Sequence, residues 1–91
     1  MMVPDAEVLE EIGLTLYERK ALITLVLFGV ADAAALCREG QIPTSKIYRA
    51  MEKLEFLRLV EVQPTRPKMF AALTPEEVAD RVSELARERA D

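Results

Sequence analysis

Apolar positions recur every three or four residues along most of this chain and alternate with polar ones only between about residues 60 and 72, a pattern of helices with one small strand region. A short first helix is predicted over 5–12, and Gly13, which tolerates the left-handed backbone a helix needs to stop, ends it. Thr15 followed three residues later by Glu18 is a capping box, so a second helix opens there and runs to Phe28, where Gly29 closes it. Asp32 suits the cap of a third helix reaching Glu39, with Ala33, Leu36 and Cys37 spaced for one buried stripe. Gly40-Gln41-Ile42-Pro43 then reads as a turn.

From 44 to 57 the helical period returns. Ile47, Ala50, Met51, Leu54 and Leu57 fall on one side, and Ser45, Arg49, Glu52 and Lys53 on the other. Residues 60–63 alternate like a half-buried strand, Pro64-Thr65-Arg66-Pro67 interrupts it, and 68–72 resumes extended chain, which makes a hairpin. Thr74 with Glu77 is a second capping box, Pro75 suits the first helical position, and Leu73 with Val78 forms a hydrophobic staple, so residues 75–90 form a C-terminal helix. The expected fold is mainly α with a small β-hairpin wing, a winged helix-turn-helix in one domain over 1–91.

Composition narrows the chemistry. With 91 residues, the chain makes one domain, and one this small buries only about 60% of its unfolded surface, so dimerisation would help it. It has no His and one Cys, which excludes a zinc site or a disulfide framework within one chain, and no cofactor is expected. The longest apolar stretch, 21–30, is broken by Thr24 and Gly29 and is far short of the roughly 20 residues a bilayer requires. The opening MMVPDAEVLEE lacks the basic and apolar regions of a signal peptide, so a cytoplasmic protein with no membrane partner is expected.

The net charge of −4 is unevenly spread. Residues 38–68 carry seven basic against four acidic side chains, net +3, while the remainder carries five against twelve, net −7. A basic helix suits double-stranded DNA because a helix fits the major groove, with base edges within reach of its N-terminal side chains and phosphates within reach of nearby Lys and Arg. Arg49 is the best candidate base reader, since its planar fork donates two hydrogen bonds to guanine. Thr44, Ser45 and Tyr48, with hydroxyls, and Lys46 and Lys53 suit phosphates. Arg66 and Lys68 lie at a hairpin tip between prolines, placed for backbone or minor groove. A charged helix face is ordinarily just solvated, and charge on an exposed strand edge often only prevents pairing; the wing favours DNA because its loop joins the same basic segment, and for the helix face the turn and the wing favour DNA only together with the resemblance described next.

Three stretches, LTLYERKALITLVLFG, IPTSKIYRAMEKLEFLRLVEV and RPKMFAALTPEEV, resemble the DNA-binding domain of the TrmB family of archaeal transcriptional regulators, over about residues 12–82. The resemblance implies that the helix carrying Ser45, Lys46 and Tyr48 enters the major groove and that the Arg66-Pro67-Lys68 wing approaches the DNA backbone. Thr44 stands where a basic residue is common in the family, and Arg58 where a helix-ending Gly is usual. No sensor domain follows the final helix in this sequence, so sugar sensing is not carried over.

Other constellations carry less. Glu10-Glu11 and Glu76-Glu77 are neighbours pointing apart on helices, and no Gly-rich phosphate loop is present, so a non-enzyme is expected. Cys37 lies on a buried stripe and reads as a core residue rather than a redox switch. Val78, Val82 and Leu85 form a short apolar seam that packs on the chain's own core or on a partner, in the second case as a candidate homodimer contact. Phe56 lies off the apolar side and with Leu57 suggests an exposed patch. The leading expectation is a sequence-specific, nucleoid-associated DNA-binding regulator acting as a homodimer; the alternative is a winged-helix protein-interaction module using the acidic surface and Phe56-Leu57.

Overall fold

The computed structural model describes residues 4–90; Met1, Met2, Val3 and Asp91, the ends of the expected 1–91 domain, lie outside the described residues. Five helices and three strands follow in the order α1 (Ala6–Glu11), α2 (Leu16–Phe28), β1 (Val30–Asp32), α3 (Ala33–Gly40), α4 (Thr44–Phe56), β2 (Val60–Gln63), β3 (Met69–Ala72) and α5 (Pro75–Ala90).

The helix ends follow from local chemistry. Asp5 accepts the Glu7 amide at 2.9 Å, and Asp32 accepts the Ala35 amide at 2.8 Å. Thr15 and Glu18 form the capping box of α2, with the Thr15 amide donating to Glu18 Oε1 at 2.9 Å and the Glu18 amide to Thr15 Oγ1 at 3.4 Å. Gly13 and Gly29 take φ of 93° and 83° just past α1 and α2, where a Cβ would be strained. The α3–α4 turn instead uses Gln41 in the left-handed region, φ 55°, and the amide of Ile42 donates back to the Cys37 carbonyl at 3.0 Å. Ile42, within the predicted turn, is 4% exposed and packs in the core cluster with residues of the two helices. Gly40 permits the close approach behind it, because a Cβ there would lie 2.9 Å from Thr24 Oγ1 of α2.

The sheet holds one strand more than the sequence pattern predicts. β1 joins the hairpin, and all three strands are antiparallel in the order β1-β3-β2. Ala31 faces Phe70, and Val62 faces Phe70 from the other side, so one face presents Ala31, Phe70 and Val62 to the helices. β1 is three residues long, and its partner lies some forty residues downstream, so no local alternation announces it. The strand anchors the base of the wing to the α2–α3 connection, where the Ala72 amide also donates to the Gly29 carbonyl at 2.8 Å.

The core sits where α1, α2, α3, α4 and the sheet converge, with Leu22, Leu25, Leu36, Met51, Leu54 and Leu59 essentially inaccessible. Cys37 is partly buried against it, as its helical spacing predicts. α5 closes the domain over α1, and this corrects the expectation for its apolar seam: Val78, Val82 and Leu85 are 2%, 7% and 6% exposed inside a single chain. Periodicity shows that these residues are covered; it does not show by what, and here the chain's own core covers them.

Candidate nucleic-acid interface

α4 divides cleanly into two sides. Ile47, Ala50, Met51 and Leu54 are buried against α2 and α3, which fixes the helix axis, and this leaves Thr44, Ser45, Lys46, Tyr48, Arg49 and Lys53 all exposed. Lys46, Arg49 and Lys53, three and four residues apart, share one stripe, with Ser45 beside Arg49 one turn earlier. Pro43 occupies the N-cap and no side chain caps α4; the Lys46 amide donates to the Pro43 carbonyl at 2.9 Å, and the positive end of the helix dipole lies at Thr44 and Ser45.

Arg66 and Lys68 are exposed on the connection between β2 and β3, where the hydroxyl of Thr65 donates to the Pro67 carbonyl at 2.8 Å and tightens the turn. Among the described residues, none of Lys46, Arg49, Lys53, Arg66 and Lys68 forms an ion pair, whereas Arg38 pairs with its neighbour Glu39 at 3.2 Å. Five cations on one pair of elements are therefore left facing solvent.

The structure separates Tyr48 from that basic stripe. Tyr48 lines a cleft of about 80 Å³ between α4 and the wing, together with Glu52, Glu55, Val62, Lys68 and Phe70. The sequence pattern puts Glu52 on the polar side with Arg49 and Lys53, but the spacing of Glu52 and Glu55 from Tyr48 by four and seven residues places these three together on the side toward the wing. The two carboxylates make this side of α4 less attractive to phosphate than the Lys46-Arg49-Lys53 side, and Lys68 on the wing side of the cleft partly offsets them.

A residue absent from the sequence reading is Arg81 of α5. Its Nε donates to the carbonyl of Leu57, at the end of α4, at 2.7 Å, and Nη1 donates to Glu84 Oε2 at 3.0 Å. The contact spans 24 residues, and no local pattern predicts it. The expected Phe56-Leu57 patch also changes: Phe56 is 81% exposed, but Leu57 is partly buried against the core, so the surface feature is one aromatic ring.

Among the described residues no group of three or more His, Cys, Asp or Glu is placed to hold a metal ion, and no helix is long and apolar enough to cross a membrane. What the arrangement offers is a helix with one solvent-facing cationic side, flanked by a charged hairpin and backed by a rigid core: a winged helix-turn-helix.

The comparisons agree. Residues 9–76 match the family described as the sugar-specific transcriptional regulator TrmB, and the chain belongs to that family. It is 32% identical over 76 residues to an HTH-type sugar sensing transcriptional regulator, TrmBL1, of Pyrococcus furiosus, covering 84% of this chain and 22% of the relative. It is also 32% identical over 91 residues to the DNA-binding HTH-type transcriptional repressor TrmBL2 of Thermococcus kodakarensis, covering 97% of this chain and 34% of the relative. The solved structure of TrmBL2, an archaeal chromatin protein with a novel mode of DNA binding, superposes with a TM-score of 0.78 at 29% identity, over 92% of this chain and 32% of that one. The chain thus spans between about a fifth and a third of the length of these relatives. The family and these relatives are transcriptional regulators or chromatin proteins rather than enzymes.

Proposed function

We propose that this chain is a sequence-specific DNA-binding transcriptional regulator associated with the nucleoid in the cytoplasm. α4 enters the major groove, Arg49 reads base edges, and Thr44, Ser45, Lys46 and Lys53 contact phosphates. Tyr48, on the cleft side, contacts the strand nearer the wing. Arg66 and Lys68 meet the backbone or minor groove. The observation that carries this reading is the unpaired cationic stripe of Lys46, Arg49 and Lys53 on a helix whose opposite side is locked in the core. DNA binding by the relatives TrmBL2 supports the same reading.

The active form is a homodimer reading two half-sites, because one helix covers too little DNA for useful discrimination. With Val78, Val82 and Leu85 spent on the core, the pairing surface is the rim of the groove between α1 and α5, where Pro4, Val8, Val26, Ala79 and Ser83 wall a space of about 260 Å³. The alternative, a protein-interaction module, draws its support from the acidic surface and from Phe56, a large aromatic ring 81% exposed. Fluorescence-anisotropy titration with genomic and random duplexes separates the two: the regulator prefers some genomic fragments, and the interaction module binds neither.

A further inference from the structure

We propose that Arg81 is a positioning residue for DNA recognition: it holds the C-terminal end of α4 from α5 and so sets the angle at which the cationic stripe is presented. The proposal rests on α4 being the DNA-reading helix. α4 ends with the Arg58 amide donating to the Glu55 carbonyl and the Leu59 amide to the Leu54 carbonyl, both at 2.9 Å, while the Leu57 amide takes the Lys53 carbonyl at 3.0 Å. The carbonyl of Leu57 itself lies beyond this closed set. It accepts from Arg81 Nε at 2.7 Å.

The geometry points to a clamp rather than a chance surface contact. The Arg81 side chain is only 14% exposed, and its guanidinium is oriented from the far side by Glu84 at 3.0 Å and Glu88 at 4.0 Å. Nε and Nη1 lie on different edges of one rigid plane, so a single residue serves the helix end and the carboxylates together; a Lys ammonium lacks that fork. A cation at a helix C-terminus is also favoured by the dipole. α4 packs chiefly on α2 and α3, and α5 chiefly on α1. Among the described residues, the Arg81 bond is the one hydrogen bond joining α5 to the end of α4. Buried apolar contacts at Ile47, Met51 and Leu54 hold the axis of α4 but are non-directional, and the Arg81 bond adds a directional restraint at its C-terminal end.

The test compares wild type, Arg81→Met, Arg81→Lys and Lys53→Ala in duplex-DNA affinity as a function of salt, with amide hydrogen exchange on the free proteins. Arg81→Met keeps the aliphatic stem but loses the donor. Its affinity should fall about 3- to 10-fold, the range for losing one ordinary hydrogen bond, with the wild-type salt slope, and Arg81→Lys should recover part of the loss. Lys53→Ala should instead flatten the slope, as a phosphate contact does. Exchange at the Arg58 and Leu59 amides should quicken in Arg81→Met while the amides of α2 keep their protection. Wild-type affinity in folded Arg81→Met, or a flattened slope, would overturn the proposal. If Arg81→Met does not fold, Arg81→Lys carries the same comparison, and full wild-type affinity and exchange in it would overturn the need for the fork. If no variant, wild type included, binds DNA, α4 is not a DNA-reading helix and the positioning role in recognition fails with it; faster exchange at Arg58 and Leu59 would then show the clamp to be structural only.

Discussion

The amide of Leu59 donates to the carbonyl of Leu54 at 2.9 Å, and Arg58 between them sits at φ 59°, in the left-handed region. The two leucines are fully buried, so the reversal that ends α4 is fixed by both a hydrogen bond and an apolar contact, and Arg58 bears the backbone strain. Its side chain is exposed. Arg58→Gly should therefore stabilise the domain by about 1 kcal/mol, raising its melting temperature by roughly 4–8 °C. A lower melting temperature in a thermal scan would show that the arginine side chain contributes more than the strain costs.

Glu77 at the head of α5 gives a pH-dependent prediction. The Thr74 backbone amide donates to its carboxylate at 3.0 Å, and this bond, helped by the Thr74 side chain, holds the Glu77 carboxyl below its ordinary value. A lowered folded-state pKa means that the contribution is complete above the ordinary glutamate range and is lost as pH falls through the folded value. Wild type should exceed Glu77→Gln in urea midpoint at neutral pH, and the gap should narrow and close as pH falls from the ordinary glutamate range through the folded value. An unchanged gap across that range would exclude the charge as its source.

The apolar side of α5 separates core from interface. Leu85→Ala should cost about 2 kcal/mol or more in unfolding free energy, because Leu85 is a core side chain. Ala79→Glu, on the exposed rim of the α1–α5 groove, should leave unfolding of the subunit little changed but convert a dimer to a monomer in light scattering. A wild-type monomer at high micromolar concentration would remove the dimer.

Arg49 and Lys53 should differ in kind. Arg49→Ala should reduce discrimination between a preferred and an altered site by about 1 to 3 kcal/mol, whereas Lys53→Ala should weaken all duplexes evenly. Competition titrations measure both, and an equal loss on both duplexes for Arg49→Ala would move that residue from base to phosphate.

Where the chemistry is local, the sequence is legible. Thr15 with Glu18, Thr74 with Glu77, and Asp32 each mark a helix start through a side chain reaching three residues ahead, and all three contacts are present. The buried side of α4 likewise follows from its period, and so does the exposure of its cations. Longer-range features were not legible. β1 is defined by pairing with Phe70 and its neighbours, the burial of Val82 by the arrival of α1, and the role of Arg81 by a carbonyl 24 residues away. In each case a residue's spacing restricts what it can do while a distant segment decides what it does. For Glu52 and Glu55 the spacing and the wing are both legible, but the cleft between them, with Tyr48 and Lys68 on its walls, is set by tertiary packing.

The central claim is that α4 and the wing grip DNA through unpaired cations, and the salt dependence of duplex binding tests it most directly. Each phosphate neutralised adds about 0.9 to the slope of log affinity against log salt, so anisotropy titrations from about 50 mM salt upward count the contacts. The expected result is binding at low salt with a clearly negative slope, reduced by roughly 2 in Arg66→Ala, one contact from each wing of the dimer. Absence of binding to any genomic fragment at about 50 mM salt, or a slope indifferent to Arg66, would contradict it.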